Sequence, residues 1–289
     1  MFNVRSVYLN GAFVSPEHAT ISIFDRGLLF GDGIYEVIPV FGGRLFRLPQ
    51  HLQRLERSLG AIRIANPHTE AQWEAVLTRV VRDTGHGDLS LYLQITRGVA
   101  PRDHAFPSNT KPTVFAYAQP LKSAAAELLQ KGVAGVTLRD NRWLRCDVKS
   151  TALLANVLLR QEATEKGGVE AILVRDGRIT EGAASNIFIV VDGRLLTPPQ
   201  GPFILPGITR DLILELARAH DMDCAETAFT EDQLINAQEV WMTSSTREML
   251  PMTRINGRPI GTGRPGPVFV RMLEHYREYK RAFAQGTVD

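Results

Sequence analysis

A chain of 289 residues, 44% hydrophobic and 22% charged, has an ordinary soluble composition and the length for two domains with cores of their own. Its 33 Lys and Arg against 31 Asp and Glu leave a formal net charge of +2. The basic residues are interleaved with acidic ones, which argues against nucleic acid or an anionic membrane as partner. No stretch approaches a membrane span, and MFNVRSVYLNGAFV lacks the apolar centre of a signal peptide, so a cytoplasmic enzyme is expected. Cys146 and Cys224 have no metal spacing and could make at most one bridge, which suits a reducing compartment.

Along the chain, Val7 to Leu9, Asn10-Gly11 and Ala12 to Val14 read as a hairpin, because Asn-Gly tolerates the positive φ angles of a tight turn. In LLFGDGIYEVIPVFGGRLFRL two β-rich runs flank Gly42-Gly43, so Tyr35 and Val37 share one strand face. Pro39 has no amide hydrogen, which places that strand at an edge or skips a ladder bond. Gln50 to Ile62 reads as an amphipathic helix with Arg54 and Arg57 on a solvated face. Thr69 to Asp83 reads as another, packed by Trp73, Val76, Leu77 and Val80.

LSLYLQITRG is a strand that runs into the loop VAPRDHAFPSNTK, where Arg102 and His104 make either a surface connection or an anion clamp. After the strand PTVFAYAQP, the run LKSAAAELLQKG is the best interdomain connection, with the boundary near Leu121. Two α/β domains follow, residues 1–120 and 121–289.

In WLRCDVKSTALLANVLLRQEA, Leu153, Leu154, Ala155, Val157 and Leu158 have helical spacing, with Ser150 or Thr151 as cap. Lys149 then stands just ahead of a helix N-terminus, where the dipole disfavours a cation. It is either a solvated lysine or an amine tuned for nucleophilic work. VEAILVRDGRI and NIFIVVDGRLLTPP are hairpins on Asp176-Gly177 and Asp192-Gly193. Between them TEGAASN sets Glu181 among small residues, as a tight turn or as a surface that a flat ligand approaches.

LPGITRD opens a helix at Ile208 or Thr209, with Leu212, Leu216 and Ala219 on its buried side. Its N-terminus is an anion site or an ordinary cap. EVWMTSSTREMLPM is a strand ending in Thr243-Ser244-Ser245-Thr246, a hydroxyl cluster that could hold a phosphate. The last helix, Val268 to Phe283, packs by Phe269, Met272, Leu273 and Tyr276. A lysine, a carboxylate beside small residues, two anion sites and a separate clamp together suit pyridoxal 5′-phosphate.

FGDGIYEV, RWLRCDVKS, EAILVRDGRITEGAASNIF, LPGITRD and the TSST run resemble the class IV, branched-chain-like aminotransferases, from the first hairpin to about Pro251. The PRDHAFP loop is similar to that of the D-amino acid aminotransferases within that class. The resemblance implies an α+β or α/β, two-domain enzyme of fold type IV that transfers an amino group by a ping-pong route. The donor is a D-alanine-like amino acid and the acceptor a keto acid such as 2-oxoglutarate or pyruvate.

It implies Lys149 as Schiff-base residue and proton shuttle and Glu181 as partner of the pyridine nitrogen. Arg54, Ile208, Thr209, Ser244 and Ser245 fall to the phosphate side, and Leu205 lies against the ring. Tyr35, Val37, Arg102 and His104 line the substrate site. The loop pair is contributed by the neighbouring subunit of a homodimer.

The chain departs from the family pattern at Ala183 and Ala184, which replace a hydroxyl-rich run, and at Ser245, which replaces a frequent threonine. Val37 and Pro39 stand where branched-chain members carry glycine and arginine. The competing readings are a branched-chain L-aminotransferase, an aminodeoxychorismate lyase, an R-selective amine transaminase and a non-catalytic cofactor binder.

Overall fold

The computed structural model describes residues 4–122 and 125–288. Two compact units comprise Met1–Lys122, Val148–Leu153 and Arg281–Asp289 in the first, and Ser123–Asp147 and Leu154–Lys280 in the second.

The first unit carries strands β1 (Val7–Leu9), β2 (Ala12–Val14), β3 (Gly33–Phe41), β4 (Arg44–Leu45), β5 (Leu89–Thr96) and β6 (Thr113–Pro120). They form one antiparallel sheet in the order β2-β1-β6-β5-β3-β4. Helix α1 (Arg26–Phe30) precedes β3, while α2 (Leu48–Ala61) and α3 (Glu70–Thr84) lie between β4 and β5. The β1–β2 turn is tight because Asn10 and Gly11 take φ of 47° and 96°.

Period-2 alternation divides this sheet. Ile34, Ile38, Leu91, Leu93, Ile95, Ala116 and Ala118 pack into one cluster with Leu55, Leu59, Trp73, Leu77 and Val80 of the two helices. Each large side chain in that layer contributes about 1.5–3 kcal/mol by leaving water. The opposite face carries Tyr35, Val37, Tyr92, Gln94, Phe115 and Tyr117, which are only partly buried.

Pro39 is tolerated in β3 because its carbonyl accepts from Phe46 N at 2.8 Å, on the β4 side. Its missing N–H would point the same way, so the ladder to β5 loses nothing. Thr69 caps α3 in a reciprocal capping box with Gln72.

The second unit has α4 (Ala126–Lys131), β7 (Val133–Arg139), α5 (Leu154–Glu165), β8 (Glu170–Arg175), β9 (Arg178–Gly182), β10 (Asn186–Val191) and β11 (Arg194–Thr197). These lead to α6 (Ile208–Ala219), β12 (Cys224–Glu226), α7 (Glu231–Ile235), β13 (Glu239–Ser244), β14 (Glu248–Ile255), β15 (Arg258–Pro259) and α8 (Pro267–Ala284). The strand order is β12-β11-β10-β13-β14-β7-β8-β9, with β15 on β14. The β14-β7, β7-β8 and β11-β12 pairs are parallel.

Both Asp-Gly hairpins form, with Arg175 opposite Arg178 and Val191 opposite Arg194. One face of this sheet buries Ile172, Ile187, Ile189, Val240, Met242 and Leu250. On α8, Phe269 meets Trp241 edge-on at 5.6 Å. In α6, Leu212 and Leu216 are buried as expected. Ala219 is exposed, and Ala217 takes the inward position instead.

Two expectations about the lysine segment are corrected. The helix begins at Leu154, not beside Lys149, because residues 149–151 dock along the free edge of β3. Tyr35 N donates to Lys149 O at 3.0 Å, Thr151 N donates to Gly33 O at 3.0 Å, and Ser150 bridges Ile34. The apolar residues Leu154, Val157 and Leu158 are 72%, 59% and 58% exposed, so they are not the core face of α5. Leu159 and Ala163 fill that role. Among the described residues both cysteines are free, and no helix is long and apolar enough to cross a membrane.

Candidate active site

In the first unit, Lys149 is set by its backbone, which accepts from Tyr35 N and donates to Ser58 Oγ at 3.4 Å. Its Nζ stands 4.2 Å from the centroid of the Tyr35 ring, a cation–π contact on the open face of the sheet. Tyr35 stacks on Tyr92 at 5.6 Å, and Tyr92 on Tyr117 at 5.4 Å, so the lysine faces a rigid aromatic floor. Burial raises the Tyr92 phenol, which stays protonated and donates to Gln94 Oε1 at 2.7 Å. Val37 lies on the same face, directly across from Tyr92.

Arg54 is 2% exposed and not on a solvated helix face as its spacing suggests; Arg57 is the exposed one. Glu36 accounts for the difference. Its carboxylate accepts Arg54 Nε and Nη2 at 2.8 and 2.7 Å and pairs with His51 Nδ1 at 2.7 Å. Burial alone would raise the Glu36 pKa, but Arg54 and His51 outweigh it and bring it to about 2. Since that carboxylate can only accept, His51 carries its proton on Nδ1, and burial keeps the ring neutral by lowering its pKa.

Arg102 and His104 are exposed, and each lies 5.3 Å from the Phe30 ring centroid. Among the described residues no hydrogen bond, ion pair or ring contact joins them to Tyr35, Val37 or Lys149. Arg26 shapes their loop. Its Nη1 donates to Asp103 O at 2.5 Å and Ala105 O at 3.4 Å, its Nη2 to His104 O at 3.5 Å, and its Nε to Asp32 at 2.8 Å. Arg97 grips Asp32 from the other side at 2.7 and 3.0 Å and lies 3.7 Å from the Phe106 centroid.

In the second unit, Glu181 at the end of β9 is buried. Its Oε1 accepts Arg142 Nη1 at 2.5 Å, and its Oε2 accepts Leu205 N at 3.0 Å and Asn186 Nδ2 at 3.2 Å. Arg142 is shared with Asp140, which it holds through two nitrogens at 2.9 and 3.0 Å. Burial outweighs Arg142, and the Glu181 pKa rises to about 7.

Asn186 also donates to Leu205 O at 3.0 Å, which binds the Leu205 segment to the Glu181 turn. Gly207 must lack a side chain, since a Cβ there would lie 1.9 Å from Asn186 Oδ1. No side chain caps α6, and among the described residues the Ile208 and Thr209 amides find no acceptor. Ser244 ends β13, with Ser245 in the turn that follows. Behind them Thr243 Oγ1 is buried without a hydrogen-bond partner among the described residues.

The family described as Amino-transferase class IV matches residues 33–255, which span β3 to β14. The chain belongs to the class IV aminotransferases. It is 43% identical over 262 residues to the D-alanine aminotransferase of Bacillus licheniformis, covering 91% of this chain and 92% of that one. It is 39% identical to the D-alanine aminotransferase of Staphylococcus aureus (strain N315), covering 96% and 98%. Among solved structures, the branched-chain amino acid aminotransferase of Escherichia coli superposes with a TM-score of 0.90 at 27% identity, over 95% of this chain and 94% of that one. A second branched-chain amino acid aminotransferase, that of T.th., solved with pyridoxamine 5′-phosphate, also gives a TM-score of 0.90 at 27% identity, over 100% and 96%.

This aminotransferase has residues that fit pyridoxal 5′-phosphate, the cofactor of its class. Glu181 is a buried carboxylate short of positive charge, which a protonated ring nitrogen would supply. The uncapped start of α6, with the Ser244-Ser245 turn and the orphaned Thr243 hydroxyl, offers donors to a phosphate. Arg142, Asp140, Asn186 and Arg26 are absent from the sequence-derived set. Asn186 closes the TEGAASN string, so it lies within reach of sequence reasoning. Arg142 is joined to Glu181 only by folding, and neither period nor local charge pattern marks it.

Proposed function

We propose that this chain is a pyridoxal 5′-phosphate-dependent D-amino acid aminotransferase that moves the amino group of a D-alanine-like donor to an α-keto acid such as 2-oxoglutarate or pyruvate. The observation that carries the reading is the 43% identity to a D-alanine aminotransferase over nine-tenths of both chains, against 27% to the branched-chain enzymes that share the fold.

Bound cofactor supplies an aldehyde that condenses with amines and a ring that withdraws electrons from the substrate Cα. In this reading Lys149 Nζ would hold the cofactor and would serve as the base that takes and returns the substrate α-proton. The docking of its backbone on β3 supports a shuttle held in one place. Glu181 would keep the ring nitrogen protonated by accepting from it, and Arg142, which pairs with Glu181, would hold that carboxylate in place.

Leu205 packs on the ring. Arg54, Ile208, Thr209, Ser244 and Ser245 take the phosphate. Tyr35 and Val37 line the substrate side. Arg102 and His104 hold the α-carboxylate, fix which face of Cα meets Lys149, and so set handedness.

The enzyme works as a homodimer whose Arg102/His104 loop reaches the neighbouring active site. The exposed Phe24, Leu28, Val99 and Phe106 around that loop, and the exposed stripe on α5, support a covering subunit. A cytoplasmic setting agrees with the two free cysteines. The division of labour is a clamp unit up to about Leu121 and a phosphate-binding unit beyond it, with the lysine segment docked on the first.

The test is to titrate the purified yellow protein separately with D-alanine and L-leucine. Bleaching of the visible band by D-alanine alone is expected, and bleaching by L-leucine alone moves the assignment to the branched-chain enzymes. Lys149→Ala should fold and lose both half-reactions; full turnover in that variant would sink the assignment.

A further inference from the structure

β7 ends at Arg139, and Asp140 N still donates to Val174 O of β8 at 2.8 Å. The chain then turns back on the Asp140 carboxylate, whose Oδ1 accepts Arg142 N at 3.1 Å. The same carboxylate takes the Arg142 guanidinium fork on fork, with Nε on Oδ1 at 2.9 Å and Nη2 on Oδ2 at 3.0 Å. Arg142 Nη2 also donates to Phe203 O at 3.2 Å, so Nη1 alone is left for Glu181. The arginine gives its bidentate edge to Asp140 and a single corner to Glu181.

Asp140 is itself fixed. Its side chain is closed to solvent, accepts Thr180 Oγ1 at 3.0 Å and pairs with Arg175 Nη2 at 3.1 Å. The Arg175 guanidinium lies 4.5 Å from the Phe203 ring centroid. All these residues belong to the second unit. With Glu181 ionised, two carboxylates balance two guanidinium groups; without Asp140 the cluster would carry excess positive charge and repel a proton beside Glu181. The other partners of Glu181, Leu205 N and Asn186 Nδ2, are neutral donors. Burial would raise the Asp140 carboxyl, but Arg142 and Arg175 outweigh it and keep the group ionised. Burial pushes the Cys146 thiol up to about 11, so it adds no charge near neutral pH.

We propose that Asp140 is a positioning residue that draws Arg142 off Glu181 and supplies the second negative charge by which the Glu181 site holds a proton, shared with the ring nitrogen when cofactor is bound. The inference rests on the cofactor role read for Glu181. If Arg142 met Glu181 with its whole fork, the carboxylate would be neutralised and its pull on a protonated ring nitrogen weakened. Arg175 acts in the opposite sense, because it offsets part of the Asp140 charge.

The test compares Asp140→Asn, which keeps the size and one acceptor oxygen, with Arg175→Gln, which removes the opposing cation. Thr180→Val removes a hydrogen bond to Asp140 and no charge. In the holoenzyme, nitrogen NMR of isotope-labelled pyridoxal 5′-phosphate follows the ring-nitrogen proton without turnover. Asp140→Asn should release that proton at a pH lower than wild type by about one unit or more, and Arg175→Gln at a higher pH. In the cofactor-free full chain, Glu181 should make the unfolding constant rise roughly fifty- to a hundredfold between about pH 5 and about pH 8. Asp140→Asn should cut that rise to about tenfold or less, while Thr180→Val leaves both readouts as in wild type.

An unchanged release and an unchanged slope in Asp140→Asn overturn the assignment. So does a Thr180→Val variant that moves them as far, since the effect would then be one of shape and not of charge. Should Asp140→Asn fail to fold, Arg175→Gln decides alone, and no shift or a shift to lower pH overturns it. A slope that depends on Asp140 in a protein whose bound cofactor carries no proton on its ring nitrogen would keep the hold of Asp140 on Glu181 and sink the cofactor role of Glu181.

Discussion

Burial raises the Glu181 carboxyl to about 7 from 4.5 despite its Arg142 partner, so the cofactor-free fold holds this residue at a cost. Between those two values the folded chain keeps a proton that the unfolded chain has released, and stability therefore falls as pH rises across the window. Glu36 behaves in the opposite sense. Its pKa is brought down to about 2, so its contribution is complete above 4.5 and is lost as pH falls toward 2. A carboxylate that destabilises its own fold at neutral pH is retained for what it binds. Glu181→Gln should remove the downward slope between about pH 5 and about pH 8 in urea unfolding of the cofactor-free protein. The same substitution should slow the half-reaction with D-alanine by roughly a hundredfold or more. An unchanged slope in the variant would assign the pH dependence to another group. Sequence spacing points to Glu181 through the small residues beside it, but not to Arg142, whose pairing with it exists only in the folded sheet.

At the scale of elements, the turns and amphipathic runs are readable because their causes are local. Asn-Gly and Asp-Gly pairs adopt positive φ wherever they stand, and α3 carries its own capping box and core stripe. The segment after Asp147 departs from its periodicity for a non-local reason. Leu154, Val157 and Leu158 have helical spacing, but residues 149–151 are drawn onto the edge of β3, and the stripe is left facing outward. The irregular PRDHAFP loop likewise owes its form to a distant residue. Arg26, 3% exposed, donates to three successive carbonyls of the loop, those of Asp103, His104 and Ala105, and is itself fixed by Asp32. Arg26→Met should leave the visible spectrum intact, since no proposed cofactor contact is touched. It should raise KM for D-alanine about tenfold with a smaller fall in kcat. An altered cofactor spectrum with unchanged KM would show that Arg26 supports the fold and does not position the loop.

For the whole molecule, the exposed apolar side chains and the exposed Arg102/His104 loop bear on the proposed homodimer. Leu154, Val157 and Leu158 on α5, and Phe24, Leu28, Val99 and Phe106 in and near the PRDHAFP segment, are exposed apolar side chains that a covering subunit would remove from water. Arg102 and His104 make no hydrogen bond, ion pair or ring contact with Lys149 or Tyr35 within their own chain among the described residues. If the clamp serves the neighbouring site, two dead variants should rescue each other. Lys149→Ala lacks the shuttle and Arg102→Ala lacks the clamp, so each homodimer has two defective sites. In a hybrid dimer one site combines the intact Lys149 of one protomer with the intact Arg102 of the other, while the second site carries both defects. Random pairing of equal amounts should then restore about a quarter of wild-type sites, because half of the dimers are hybrids with one working site each. Co-expressing the two chains with different affinity tags and isolating the doubly tagged species should raise the D-alanine turnover to about half that of wild type. Activity no greater than the mean of the two parent variants would mean that each clamp serves its own chain.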